Sequence, residues 1–311
     1  MRRRDFAAAA LLAFAPGSAL ARLKVTHGAR LGAKKTTTDT TTPTTTEPTT
    51  TTTTEPTTTT TSPTTTPTTE ATVESYCAPS VNSLGRTTFA DWEWTLQRDK
   101  TKLYPIQEVV GMDPVRHRFE TRSTDSWNSE TTRNRAELAL THRFAPAGQS
   151  IWFSYAMRVR GGAPVTNWNV LSQFHNSPDS GDISTSPPFS MNMVPGEKLR
   201  FIRRFDAAPL STTKRDDITM GERVISRDRW YRIVGRLVFG WDNNASVDVW
   251  IDGAKMISLA NTNMGYNDMR GPYFKFGIYR AKVAETLVAD FANMELGTTS
   301  LLTRVTSPLD I

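Results

Sequence analysis

Residues 151–160 read Ile-Trp-Phe-Ser-Tyr-Ala-Met-Arg-Val-Arg, and Phe153, Tyr155, Met157 and Val159 fall at every second position. Period two is the spacing of one face of a β-strand, and it excludes a helix, whose faces repeat every 3.6 residues. The pattern returns from Trp230 to Phe239 through Tyr231, Ile233 and Leu237. It returns again at Val247, Val249 and Ile251, which lead into Asp252-Gly253 and a second apolar run, Lys255–Leu259. Asp-Gly between two such runs marks a tight hairpin. No stretch shows convincing helical periodicity. Many strands at short spacing without helices predict an all-β fold, an antiparallel sandwich of the jelly-roll kind.

The globular part does not begin at the N-terminus. Residues 1–21 start with Arg2-Arg3-Arg4, pass through an Ala/Leu-rich run and end at Ala19-Leu20-Ala21. A basic start, a short apolar run and a small-x-small site read as a signal peptide. Arg3-Arg4-Asp5-Phe6 also fits the twin-arginine pattern, and the choice between that route and the ordinary Sec route stays open. The apolar run is too short to span a bilayer, and no later run is longer, so no membrane span is expected. Residues 22–35 are a short basic segment, and 36–72 are almost entirely Thr and Pro. Such a tract lacks the apolar residues needed for a core and resembles O-glycosylated linkers. Residues 75–311 are long enough for one domain. Cys77 is the single cysteine, so no disulfide can form within the chain. Residues 1–72 carry eight Lys/Arg and five Asp/Glu, so only +3 of the net +6 belongs to the rest. That balance gives no sign of a nucleic-acid partner and permits an anionic one. The product is expected to be secreted and monomeric.

Three segments place polar side chains together on one strand face. In Arg133-Asn-Arg135-Ala-Glu137, the odd positions share a side. In Trp168-Asn-Val-Leu-Ser-Gln173-Phe174-His175, alternation sends Trp168, Val170 and Phe174 toward a core and Asn169, Gln173 and His175 away from it. In Pro272–Arg280, Tyr273, Lys275 and Tyr279 share a face opposite Phe274, Phe276 and Ile278. Gly277 between them suggests that another chain or a ligand lies close. Each segment alone also reads as an ordinary half-solvated strand.

Taken together, Arg-Ala-Glu-Leu, Gln-Phe-His and Tyr-Phe-Lys-Phe-Gly-Ile-Tyr, in that order, resemble the motif strands of jelly-roll polysaccharide lyases over roughly residues 85–297. Family-7 alginate lyases carry such strands, as do the glucuronan-lyase and heparin-lyase-like families. The chain departs from the alginate pattern in having Arg280 after Tyr279 and no Arg directly after Leu138. Its Tyr279-Arg280 ending is nearer the glucuronan-lyase relatives. The resemblance implies a secreted enzyme that cleaves an acidic, uronate-containing polysaccharide by β-elimination. Arg135 and Gln173 would neutralise the uronate carboxylate, His175 would act as base, and Tyr279 as acid or as acid and base. Arg133, Glu137, Asn169, Tyr273, Lys275 and Arg280 would hold the sugars or, for Glu137, orient Arg135. No metal and no cofactor is expected, because the arginine and the amide do the neutralising. A glycoside hydrolase on such a fold needs two carboxylates facing one bond, and no strand offers that pair. The rival reading is a non-catalytic lectin whose cationic face binds acidic glycans. A further alternative is a surface-attachment protein in which the Thr-rich stalk matters most.

Overall fold

The computed structural model describes residues 76–77, 80–89, 91–109, 116–309 and 311. The segments 1–21, 22–35 and 36–72 lie outside the described residues. Strands dominate, and the only helix among the described residues is a single 3-10 turn, Leu302–Val305. Two sheets form. One has nine strands in the order β1 (Tyr76–Cys77), β4 (Ile106–Val109), β5 (Arg116–Thr121), β17 (Leu287–Gly297), β7 (Ser150–Val159), β13 (Tyr231–Val238), β14 (Gly240–Ile251), β15 (Ala254–Tyr266) and β11 (Phe205–Asp206). The other has eight, in the order β12 (Ile218–Val224), β10 (Lys198–Arg203), β9 (Phe189–Val194), β8 (Asn169–Ser177), β16 (Arg270–Ala281), β6 (Arg133–Phe144), β3 (Trp92–Arg98) and β2 (Arg86–Phe89). Every pairing is antiparallel except β11 with β15. The chain crosses repeatedly from one sheet to the other, as along β5, β6, β7 and β8 and again along β15, β16 and β17, as in a jelly roll. No helix among the described residues is long and apolar enough to cross a membrane.

The alternating residues do what their spacing requires. Phe153, Tyr155, Met157 and Val159 of β7 enter the core with Tyr231, Ile233 and Leu237 of β13. They meet Leu138, Phe174, Phe274, Phe276 and Ile278 from the other sheet. Phe276 sits between the layers, with Trp94, Phe119 and Phe291 each 5.2 Å from its ring centre. Each fully buried aromatic contributes roughly 2–3 kcal/mol of hydrophobic stabilisation. The hairpin falls where the Asp-Gly pair placed it. Asp252 (φ 50°) and Gly253 (φ 83°) both adopt left-handed backbone between Ile251 and Ala254, as a type I′ turn demands.

Two local irregularities decide what the eight-stranded sheet presents outward. In β8 the pairing with β9 slips between Val170 and Ser172. Leu171 packs in the core, and Ser172 also turns inward to hydrogen-bond the Tyr155 hydroxyl at 2.7 Å. Two consecutive inward residues reverse the parity of everything before them. In β16 the pairing with β8 slips between Phe276 and Tyr279, around Gly277 (φ 126°). A Cβ on Gly277 would lie 2.3 Å from the Ala136 carbonyl oxygen and 2.9 Å from Glu137 Cα. The glycine therefore admits strand β6, not a ligand. Gly277→Ala is expected to lower folding stability by about 2–3 kcal/mol, through left-handed strain and overpacking together. An unchanged urea midpoint would contradict this account of the β6–β16 contact.

Candidate active site

A cleft of about 510 Å³ lies on the outer face of the eight-stranded sheet. Strands β6, β8 and β16 run side by side beneath one part of it. It brings together Arg133 and Arg135 of β6, Gln173 and His175 of β8, and Tyr279 of β16. Tyr279 is the register partner of Arg135, whose guanidinium carbon lies 3.8 Å from the tyrosine ring centre. Trp127 flanks the same guanidinium at 4.6 Å. Trp168 packs edge-on against Tyr279 at 5.3 Å. Aromatic faces on a cation restrict its rotamers and leave its N–H edge to point outward.

Under the cleft floor lies Glu137, which is 1 % exposed. Its Oε1 accepts from Gln173 Nε2, and its Oε2 from Arg135 Nη1 and from Lys275 Nζ at 2.8 Å. Burial alone would push this carboxyl up, but Lys275 and Arg135 beside it, with the Gln173 amide, hold it below the usual carboxylate range. Lys275 is itself 1 % exposed. Burial brings it down to about 8 even though Glu137 acts in the opposite direction. Arg135 also donates to Gln97 Oε1 of β3 at 3.1 Å, while its Nε has no partner. Gln173 keeps Oε1 without a partner.

His175 is half-buried, and burial, with the Lys275 charge next in weight, lowers it to about 4. Its Nδ1 lies 2.8 Å from the Asn176 carbonyl oxygen. A carbonyl can only accept, so Nδ1 carries the proton and the neutral ring keeps a bare lone pair on Nε2. Tyr273, its register partner on β16, lies 5.4 Å away ring to ring. Burial, and Glu137 after it, raise the Tyr273 hydroxyl.

Glu137 lies beneath the surface, where it pairs with Arg135. Four expected sugar contacts, Tyr273, Lys275, Asn169 and Arg280, do not line the cleft. Tyr273 is half-buried beside His175, and Lys275 has the expected parity but lies beneath the surface on Glu137. Asn169 is 1 % exposed, and its amide donates to the Asn167 and Met193 carbonyls. The β8 irregularity turns it away and brings Trp168 and Val170, expected in the core, into the cleft. Arg280 is fully buried and donates to the Thr121 and Glu285 carbonyls. It shares the parity of Ile278, so it braces the sheet from behind. The far wall holds Arg200 of β10, Arg204 just after it, and Lys214 and Asp217 from the loop between β11 and β12; Arg200 is paired with Glu222 and Arg204 with Asp217. Arg200 was within reach of sequence reasoning, because Leu199 and Phe201 on either side of it are apolar.

Residues 84–300 match the family model described as polysaccharide lyase. The chain belongs to that family. Among solved structures, the lyase is similar to an endo-β-1,4-glucuronan lyase from the fungus Trichoderma reesei, with 17 % identity and a TM-score of 0.52, covering 73 % of this chain and 95 % of the other. It is also similar to the family-7 alginate lyase A1-II′ (13 % identity, TM-score 0.49, 67 % and 95 % coverage). An alginate lyase from Pseudomonas aeruginosa matches at 15 % identity and a TM-score of 0.47, covering 66 % and 98 %. No curated protein matches the chain. At these identities the structural likeness shows the jelly-roll fold, and the family match shows a polysaccharide lyase.

The buried trio of this lyase makes a sharp prediction. Glu137→Gln leaves Lys275 and Arg135 facing each other without their counter-ion, and stability should fall by about 3–5 kcal/mol. Lys275→Met should cost a similar amount, and the double variant should lose clearly less than the sum. Additive losses in urea unfolding would contradict the pairing.

Proposed function

We propose that this polysaccharide lyase cleaves a uronate-containing polymer, glucuronan-type by preference, by β-elimination. The observation that carries the reading is His175. It is a neutral imidazole with its proton held on Nδ1 and its Nε2 free, and it lines the same cleft as two arginines and a tyrosine. A proton on C5 of a uronate is too weakly acidic to leave while the adjacent carboxylate keeps its charge. In this scheme Arg135 and Gln173 bind that carboxylate and stabilise the enolate-like charge. His175 Nε2 takes the C5 proton. The C4 oxygen leaves with a proton from the Tyr279 hydroxyl, the C4–O bond breaks, and a C4–C5 double bond forms. On the far wall Lys214 favours a further carboxylate along the chain, while Arg200 and Arg204 are paired with Glu222 and Asp217.

The preference for glucuronan rests on the likeness to the fungal glucuronan lyase. It draws nothing from Arg280, which is buried. The same reading takes residues 1–21 as an export signal and 36–72 as a spacer, with the enzyme acting outside the cell.

His175→Ala and Tyr279→Phe should each lower kcat about 10²–10⁴-fold on the best polymer, with KM little changed, because their protons move chiefly in the transition state. Arg135→Ala should harm KM and kcat together. A Tyr279→Phe enzyme with full rate would rule out Tyr279 as the acid.

The histidine also sets a pH expectation. The base works only when unprotonated, and His175 sits near 4 in the free enzyme against an ordinary 6.5. The acid limb of kcat/KM should therefore lie well below pH 6.5. A profile that falls to half its plateau at about pH 6.5, where an unperturbed imidazole titrates, would contradict this.

A further inference from the structure

The outer face of the nine-stranded sheet, on the opposite side of the sandwich from the cleft, carries a second set of cations. Arg118 of β5, Asp290 of β17 and Arg158 of β7 are register partners and lie in one row. Asp290 is buried and accepts from Arg118 at 2.8 Å and from Arg158 at 2.8 Å, and Arg160 stands 3.8 Å from it. Three guanidinium groups thus share one buried carboxylate, and Arg160 also meets the exposed Asp228 at 3.6 Å. Glu120 on the same face is taken up by Arg122.

A fourth guanidinium belongs to Arg116, two positions before Arg118 on the same strand face and opposite Ala292. Among the described residues Arg116 forms no ion pair, and its Nε is buried without a hydrogen-bond partner. Burial, and the Arg158 charge after it, bring Arg116 below the ordinary arginine range, although Asp290 acts the other way. Trp230 joins the two arginines: the guanidinium carbon of Arg158 lies 4.7 Å from its ring centre and that of Arg116 5.6 Å. The ring is half-buried, so part of it stays open to solvent. A cation that is partly desolvated, unpaired and close to another cation is poorly satisfied. An anion set against Arg116 and Arg158 relieves both.

We propose that this patch is a second, non-catalytic site for the acidic polysaccharide, where Arg116 and Arg158 hold a uronate carboxylate and Trp230 meets the sugar ring. The choice of a uronate rests on the substrate reading above. A carboxylate matches the N–H fork of a guanidinium, and an indole offers an apolar surface to the C–H bonds of a pyranose. A phosphate polymer fits less well, because its affinity grows with the number of phosphates neutralised and the folded part carries only +3. Two packed sheets separate the patch from the cleft, so a short oligomer reaches only one of them. A long chain, or two neighbouring chains, engages both and keeps the enzyme on its polymer between cleavages.

The test runs the full chain through native gels cast with glucuronan, in a His175→Ala background that slows cleavage. Adding Arg116→Gln or Trp230→Ala should weaken the apparent Kd for the polymer about tenfold, the worth of one charge-assisted contact. Arg116→Gln should melt with its parent, since it removes a repulsion. With His175 restored, neither change should alter kcat/KM on a glucuronate tetramer, which the cleft alone holds. A neutral β-glucan in the gel should retain none of these proteins. Equal retention of the Arg116→Gln chain and its parent would overturn the second site. So would an equal loss on the tetramer, which would place the effect in the cleft, and retention by the neutral glucan would overturn the carboxylate as ligand. A chain that glucuronan holds through Arg116 but that never yields unsaturated ends would sink the β-elimination reading and leave this site standing.

Discussion

The site is organised around a carboxylate that no substrate can touch. Glu137 is buried where β3, β6, β8 and β16 lie side by side, and a charge there persists only if it is surrounded. Lys275 and Arg135 supply the charge and Gln173 the amide. Each of these contacts also fixes a side chain that the cleft needs. Arg135 cannot swing away without leaving Glu137 underpaired, and Gln173 is oriented through its Nε2. The backbone is part of the same arrangement. Gly277 is the register partner of Glu137, and a Cβ there would press on Glu137 Cα. The glycine, the acid and the lysine are therefore one device spread over neighbouring strands. Removing any one of them strains the other two.

The same constraint explains the charge of the cleft. One buried carboxylate against Lys275, Arg135 and the exposed Arg133 leaves a positive excess directed outward, and the far wall adds Lys214. This local excess is not visible in the mild net charge of the folded part. Lys275 next to His175 adds a second effect: its charge opposes protonation of the imidazole. The residue buried for packing and pairing thus helps keep the base free.

Much of the fold was legible from residues 151–160 and 230–259, because period-two alternation and an Asp-Gly turn are local signals with few alternatives. The core of the site was legible for the same reason: Arg133, Arg135, Gln173, His175 and Tyr279 share the cleft that their strand parity implied. Two kinds of information were not in the pattern. Parity cannot report a slipped strand, so the inward turn of both Leu171 and Ser172 exchanged the expected sides of Asn169 against Trp168 and Val170. Parity also cannot report depth: Lys275 faces the right way but lies under its neighbours. Arg280 is a different case. Its even position matched Ile278 and placed it opposite Tyr279, and only the family resemblance argued for a sugar contact. The residues before Tyr76, which carry the export and linker expectations, lie outside the described part of the chain.

The most direct measurement of the central claim is the mass of the chain ends released when the full-length protein is incubated with glucuronan. Elimination at a cleft organised by Glu137 and served by His175 predicts products whose new non-reducing ends are lighter by one water than hydrolysed ends, with an unsaturated C4–C5 bond seen by proton NMR. Fully hydrated ends would contradict the account, and so would an intact polymer across a panel that also included alginate, heparin, hyaluronan and pectate.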